Sequence, residues 1–154
     1  MEDLRLTFEL GLVDPPIVTT WDQFYRRADE LEGAYCKLTS ACKNGIKSSA
    51  YYDPARMWQF ASKLSEAARR YYLCGWSTNG RLEHWIQAAV GIEVALTDSQ
   101  LGDTSFEFDG SPLSWEPHVK VDDAKDDLTR CGRIYFAIDD AKTRFVINHV
   151  GIHL

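Results

Sequence analysis

The sequence predicts an α+β chain: an N-terminal strand, three helices, then a C-terminal antiparallel sheet ending in a β-hairpin. Three observations carry this. Apolar residues recur at helical spacing from Trp21 to the neighbourhood of Val90. Beyond Gly102 the period changes to two. Near the C-terminus, the apolar runs Ile134–Ile138 and Phe145–Val150 flank the turn Asp139-Asp140-Ala141-Lys142. At 154 residues, without an internal repeat or a linker, the chain reads as a single domain spanning 1–154. A lone hairpin is only marginally stable, so this one is expected to join a sheet on which the helices pack.

Leu4, Leu6, Phe8 and Leu10 alternate with Arg5, Thr7 and Glu9, as in a half-buried strand, and Asp14-Pro15-Pro16 breaks it. Thr20-x-x-Gln23 is a capping box for a first helix. Its stripe runs Trp21, Phe24, Tyr25, Ala28, Leu31, Tyr35, Leu38 and Cys42, and Asn44-Gly45 supplies the stop. Asp53-Pro54 opens a second helix with Met57, Phe60, Ala61, Leu64, Ala67, Ala68 and Tyr71 on one stripe, ended by Cys74-Gly75. Asn79 caps a third, whose buried face is Leu82, Trp85, Ile86 and Ala89.

Gly91–Asp98 either continues that helix or forms a short strand with Ile92, Val94 and Leu96 on one side. Phe106 and Phe108 precede the turn Asp109-Gly110-Ser111-Pro112, and Trp115–Val121 reads as a strand that Pro117 assigns to an edge or a bulge. Asp122–Thr129 reads as an exposed charged connector. In the hairpin, Ile134, Phe136 and Ile138 share one face. On the return strand Phe145 and Ile147 are expected on one face, with Val146 and Val150 on the other.

The net charge of -6 argues against a nucleic-acid coat while leaving room for a small basic cleft. Glu2, Asp3, Arg5 and Glu9 are unlike a secretory signal, and no apolar run is long enough to span a bilayer. The expectation is a cytoplasmic protein without membrane association. Cys36, Cys42, Cys74 and Cys131 form no C-x-x-C pair and read as ordinary thiols. G-x-G-x-x-G, P-loop, nucleophile-elbow and H-E-x-x-H patterns are all absent, so no cofactor, nucleotide or metal is expected.

His149-x-x-x-His153 has a zinc-like spacing for a helix. On a strand, four residues at about 3.3 Å each put the rings about 13 Å apart, too far for one zinc unless the chain turns at Gly151. His149 is expected to be a packed histidine, His118 either packed or an exposed rim residue, and His84 an outer-face residue of the third helix. Lys120, Arg130, Arg133, Lys142 and Arg144 accompany His118, His149 and His153. If they converge on one sheet face, an arginine holds a phosphate bidentately and a histidine moves a proton. The favoured reading is plainer: Lys142 and Arg144 are solvated turn residues, and Lys125 and Arg130 balance Asp122, Asp123, Asp126 and Asp127.

Gly132-Arg133-Ile-Tyr-Phe-Ala-Ile-Asp139, followed by Arg144-Phe-Val-Ile-Asn-His-Val-Gly-Ile-His153, resembles the end of RelE/ParE-like toxins over about 20 of the 154 residues. The resemblance implies a strand, helices and an antiparallel sheet, in the order read above. It places Arg133 where the family has a phosphate-contacting arginine and His153 where it has a basic residue after the glycine. It also implies either metal-independent cleavage of messenger RNA at the ribosome or action on DNA gyrase. Under that reading Arg133, His149 and His153 are the candidate catalytic residues, with His118, Lys120 and Arg144 as candidate binding residues.

The favoured functional expectation is a non-catalytic protein-binding module with a protein partner, an accessory or immunity-like component of a bacterial conflict system. The alternative is the metal-independent toxin acting on RNA. The toxin requires Arg133, His149 or His153 to share a concave face with other basic groups. The binder requires only an exposed apolar or acidic patch.

Overall fold

The computed structural model describes residues 17–75 and 80–154; the strand expected at Leu4–Leu10, the Asp14-Pro15-Pro16 break and the Asn79 cap lie outside the described residues. The capping box forms as expected. The Thr20 hydroxyl accepts from the Gln23 amide at 3.1 Å, and Gln23 Oε1 accepts from the Thr20 amide at 3.2 Å. This starts α1 (Trp21–Arg27), which tightens into a 3-10 turn at Ala28–Leu31.

There the expected first helix ends early. Residues read as its second half instead form β1 (Cys36–Leu38) and α2 (Ser40–Ile46), so Gly45 lies inside α2 rather than stopping the first helix. The reason is an overlap of periods. Tyr35, Leu38 and Cys42 fit a helical stripe, but Cys36 and Leu38 also alternate with Lys37, and both are buried. Tertiary pairing overrides the helical option. β1 runs parallel to the last strand, and Glu32 accepts from the Leu38 amide at 3.1 Å.

α3 (Pro54–Arg70) begins at the expected cap, where Asp53 Oδ1 accepts from the Arg56 amide at 3.0 Å, and it passes into a π-helical turn at Tyr71–Gly75. α4 (Leu82–Val90) ends at Gly91, so the ambiguous segment after it becomes β2 (Glu93–Ala95). β3 (Ser105–Phe108) and β4 (Ser111–Ser114) form a separate two-stranded sheet across Asp109-Gly110, with Ser111 and Pro112 already in the return strand. β5 (His118–Lys120), β6 (Gly132–Asp139) and β7 (Arg144–Ile152) complete the main sheet, in the order β1-β7-β6-β5-β2. All its pairings are antiparallel except β1–β7. The α+β architecture with a C-terminal sheet is therefore present, with four α-helices among the described residues where three were expected.

One sheet face packs on the helices: Val94, Val119, Ile134, Phe136, Phe145, Ile147 and Val150 join Phe24, Met57, Leu64 and Ile86 in the core. Alternation along β7 is interrupted to achieve this. Tyr135 pairs with His149, but Phe136 pairs with Ile147, leaving Asn148 as a β-bulge. Val150 thus returns to the side of Phe145 and Ile147, which overturns its expected placement beside Val146. The bulge is tied down by Thr39. Its hydroxyl donates to Asn148 Oδ1 at 2.9 Å and accepts from the Cys42 amide at 3.0 Å, capping α2. The Thr39 amide donates to the Ile147 carbonyl at 3.0 Å.

Two further expectations change. Arg144 is not a solvated turn residue: it is 8% exposed, and its Nε donates to buried Asp139 at 3.0 Å. Its guanidinium also reaches Asp109 at 3.2 Å and lies 4.9 Å from the Phe108 ring centroid, pinning the β3–β4 hairpin. Lys142 is exposed, and its ammonium donates to the Asp109 carbonyl. The acidic connector is not wholly exposed either. Half-buried Asp122 accepts from Arg56 Nε at 3.1 Å and from the Tyr51 hydroxyl. Among the described residues no helix is long and apolar enough to cross a membrane.

Thr39→Ala removes both the α2 cap and the tie to Asn148, and is expected to cost about 1–2 kcal/mol in urea denaturation. Thr39→Ser should recover most of the loss. An unchanged midpoint for the alanine variant would show that the bulge is held by something else.

Candidate functional site

The sheet register alone builds two polar rows on the face turned away from the helices. One row is Ala95, His118, Tyr135 and His149; the other is Glu93, Lys120, Arg133 and Gly151. Over β2, β5 and β6 opens a cleft of about 370 Å³, lined by Ala95, Thr97, Asp98, Ser99, Glu116, His118, Lys120, Arg133 and His153. Of the residues singled out in the sequence, His118, Lys120, Arg133 and His153 meet there. His149 is not in the lining. Its Nε2 donates to the Ile152 carbonyl at 2.8 Å, the arrangement expected of a packed histidine. Arg144 belongs to the hairpin clamp at the opposite end of β7.

His118 is 4% exposed, and its Nδ1 donates to the Glu116 carbonyl at 3.0 Å. A carbonyl only accepts, so the neutral ring carries its proton on Nδ1 and keeps a lone pair on Nε2. Burial pushes its pKa below the usual histidine value, with Arg133 and Lys120 adding to the effect. His153 Nε2 lies 3.9 Å from Asp98 Oδ2, within ion-pair reach when the ring is protonated. Asp98 is itself fixed: its amide donates to Glu116 Oε1 at 2.8 Å, and its Oδ1 accepts from the Gln100 amide at 3.0 Å.

The two cations differ. Lys120 is half-buried, and its ammonium makes no hydrogen bond or ion pair with a described residue. Arg133 is 4% exposed and heavily engaged. One terminal nitrogen donates to the Asp122 and Gly132 carbonyls and the other to Asp123 at 2.8 Å, while buried Nε has no partner among the described residues. Two residues along the same strand, the buried Tyr135 hydroxyl also lacks a partner among the described residues; the Leu154 amide is near it but outside hydrogen-bond geometry. Burial, followed by the Asp98 charge, raises the Tyr135 pKa. Its ring centroid lies 5.1 Å from His118, 5.8 Å from His149 and 6.3 Å from His153, with Trp115 edge-on at 5.6 Å.

Tyr135 was legible as a neighbour of Arg133 on the same strand face, two positions on. Asp98 and Glu116 lie outside the strands and carry no periodic signal. Elsewhere, burial raises the thiols of Cys36 and Cys42 to about 12, which keeps them protonated and unreactive. Among the described residues no group of three His, Cys, Asp or Glu side chains is arranged to hold a metal ion. No protein-family model, no curated protein and no solved structure matches this chain.

The histidines set a stability slope. Burial depresses both His118 and His149. The unfolded chain therefore binds more protons than the folded one as pH falls through about 6.5, and stability declines there. Thermal denaturation is expected to show a lower midpoint at pH 5.5 than at pH 7.5, and His149→Gln should shrink the difference. A flat profile would contradict the buried neutral rings.

Proposed function

We propose that this cleft binds a phosphodiester of single-stranded RNA and cleaves it by proton transfer, the metal-independent ribonuclease reading of the RelE/ParE-like resemblance. One observation carries the proposal: His118, Lys120, Arg133 and His153, from different parts of the C-terminal half, line one cleft. RNA supplies its own nucleophile. Neutral His118 takes the 2′-hydroxyl proton on Nε2 as the 2′-oxygen attacks phosphorus. Protonated His153, held by Asp98, gives its proton to the departing 5′-oxygen. The bond from phosphorus to the 2′-oxygen forms and the bond to the 5′-oxygen breaks, leaving a 2′,3′-cyclic phosphate and a 5′-hydroxyl. Lys120 neutralises the non-bridging oxygens, where charge accumulates.

Arg133 has a positioning role here. Its terminal nitrogens hold the 122–123 connector, and Nε is buried without a partner among the described residues. The acidic chain repels RNA at long range, so affinity rests on this cleft and involves few phosphates.

A second reading, the non-catalytic protein-binding module, is supported by one observation away from the cleft. Tyr52 and Leu128 are 46% and 56% exposed, and the Tyr52 amide donates to the Thr129 carbonyl at 2.9 Å. Arg130 lies 4.5 Å from the Tyr52 ring centroid, so an apolar patch sits beside a cation.

The test is cleavage of single-stranded and ribosome-bound RNA by the purified chain. Wild type should release cyclic-phosphate ends, and His118→Ala and His153→Ala should each slow the reaction about 10²–10⁴-fold. Absence of cleavage by wild type, or full activity in both variants, rejects the ribonuclease and leaves the binding module.

A further inference from the structure

The cleft carries two carboxylates, Asp98 and Glu116, and the phosphate chemistry uses only the first. Glu116, His118 and Lys120 follow one another along the chain, and the register sets Lys120 beside Arg133. Asp98 is accounted for by His153 and the Gln100 amide. Glu116 is not. It makes no ion pair with a described residue, and its Oε1 accepts from the Asp98 amide at 2.8 Å. Its carbonyl takes the His118 proton, and its amide donates to the Ser114 hydroxyl at 3.3 Å. The backbone is thus tied on both sides and the carboxylate is oriented, while Oε2 has no donor among the described residues. An acceptor-only group is held beside the proton-transfer histidine.

Glu116 and Lys120 are four residues apart, so their α-carbons are at most about 14 Å apart. A ligand filling this length carries negative charge at Lys120 and N–H donors at Glu116. A single nucleotide does so when its base presents two adjacent donors. Guanine offers N1–H and N2–H side by side, a pair that matches a carboxylate bidentately. Adenine and cytosine place a ring lone pair beside their amino group, and uracil sets its one N–H between two carbonyls. Each of these turns a lone pair toward the carboxylate. Oε1 retains acceptor capacity after its bond to the Asp98 amide, because an ionised carboxylate has about four lone-pair sites.

We propose that Glu116 is the specificity residue of the cleft, reading the Watson–Crick edge of an unpaired guanine and so directing cleavage to the 3′ side of guanosine. Reading of unpaired base edges is the usual mode of sequence-specific RNA recognition. The guanosine base rests at Glu116, its 2′-hydroxyl at His118 and its 3′-phosphate at Lys120. This inference rests on the ribonuclease reading, and the two fail separately.

Calorimetric binding of the four ribonucleoside 3′-monophosphates to the whole chain tests it, alongside mapping of cleavage sites on a mixed-sequence RNA. Guanosine 3′-monophosphate should bind at least about tenfold more tightly than the other three. Glu116→Gln keeps an oxygen for the Asp98 amide but loses the paired acceptor. It should abolish the preference and leave the common affinity in place, while Lys120→Ala should weaken all four alike. Equal binding of the four nucleotides, or a preference that survives Glu116→Gln, overturns the guanine assignment. Cleavage after every base would then keep the ribonuclease reading alone. No binding and no cleavage removes both.

Discussion

The bulge at Asn148 is the constraint on which the arrangement depends. A strand alternates its side chains with period two. With Phe145 and Ile147 in the core, an unbroken β7 would turn residue 149 and its odd-numbered successors toward the helices. Two imidazoles would then enter an apolar core, a costly burial without partners. One extra residue reverses the parity: Val150 enters the core, and His149 and Gly151 face the polar side beside Tyr135 and Arg133. The Thr39 hydroxyl joins this bulge to the start of α2, so helix capping and site geometry share one hydrogen-bonded residue. Gly151 belongs to the same device. Its φ is +155, and an added Cβ would come within 3.0 Å of Ser49 Oγ and 3.4 Å of His149 Nε2.

Two buried arginines illustrate how position divides one residue type. The side chains of Arg133 and Arg144 are 5% and 9% exposed, yet each pairs with a carboxylate more than 60% exposed, Asp123 or Asp109. Such half-wet pairs add little stability. The Arg144–Asp139 pair is different, because Asp139 is only 2% exposed and neither charge could be left alone at low cost. Through Asp109, Arg144 locks the β3–β4 hairpin, whereas Arg133 fixes the connector under the cleft, and each keeps one buried nitrogen without a partner among the described residues. Nothing in the sequence separates the two.

Local signals were the legible part of the fold. The Thr20 box, the Asp53-Pro54 start and the Asp139–Lys142 turn depend on neighbours within a few residues, and each forms as read. β1 was not legible, because its residues fit both periods and the deciding partner is remote; Thr39 and Asn148 are 109 positions apart. The bulge hid for a similar reason, since an unbroken alternation describes Phe145–Val150 equally well on paper. For the site, the residue types were visible and their convergence was not. The register brings His118 beside Tyr135 and Lys120 beside Arg133, while the same rule sends Arg144 to the other end of β7. Asp98 and Glu116 became candidates only through the cleft they line.

The proposed function requires the polar face of the sheet to form one anion site shared by His118, Lys120 and His153. Proton NMR of the imidazole rings during titration with inorganic phosphate addresses this most directly. His118 and His153 should shift along one common binding curve, exposed His84 should not move, and Lys120→Ala should abolish the response. Shifts of equal size at all four histidines, or none at His118 and His153, would contradict it.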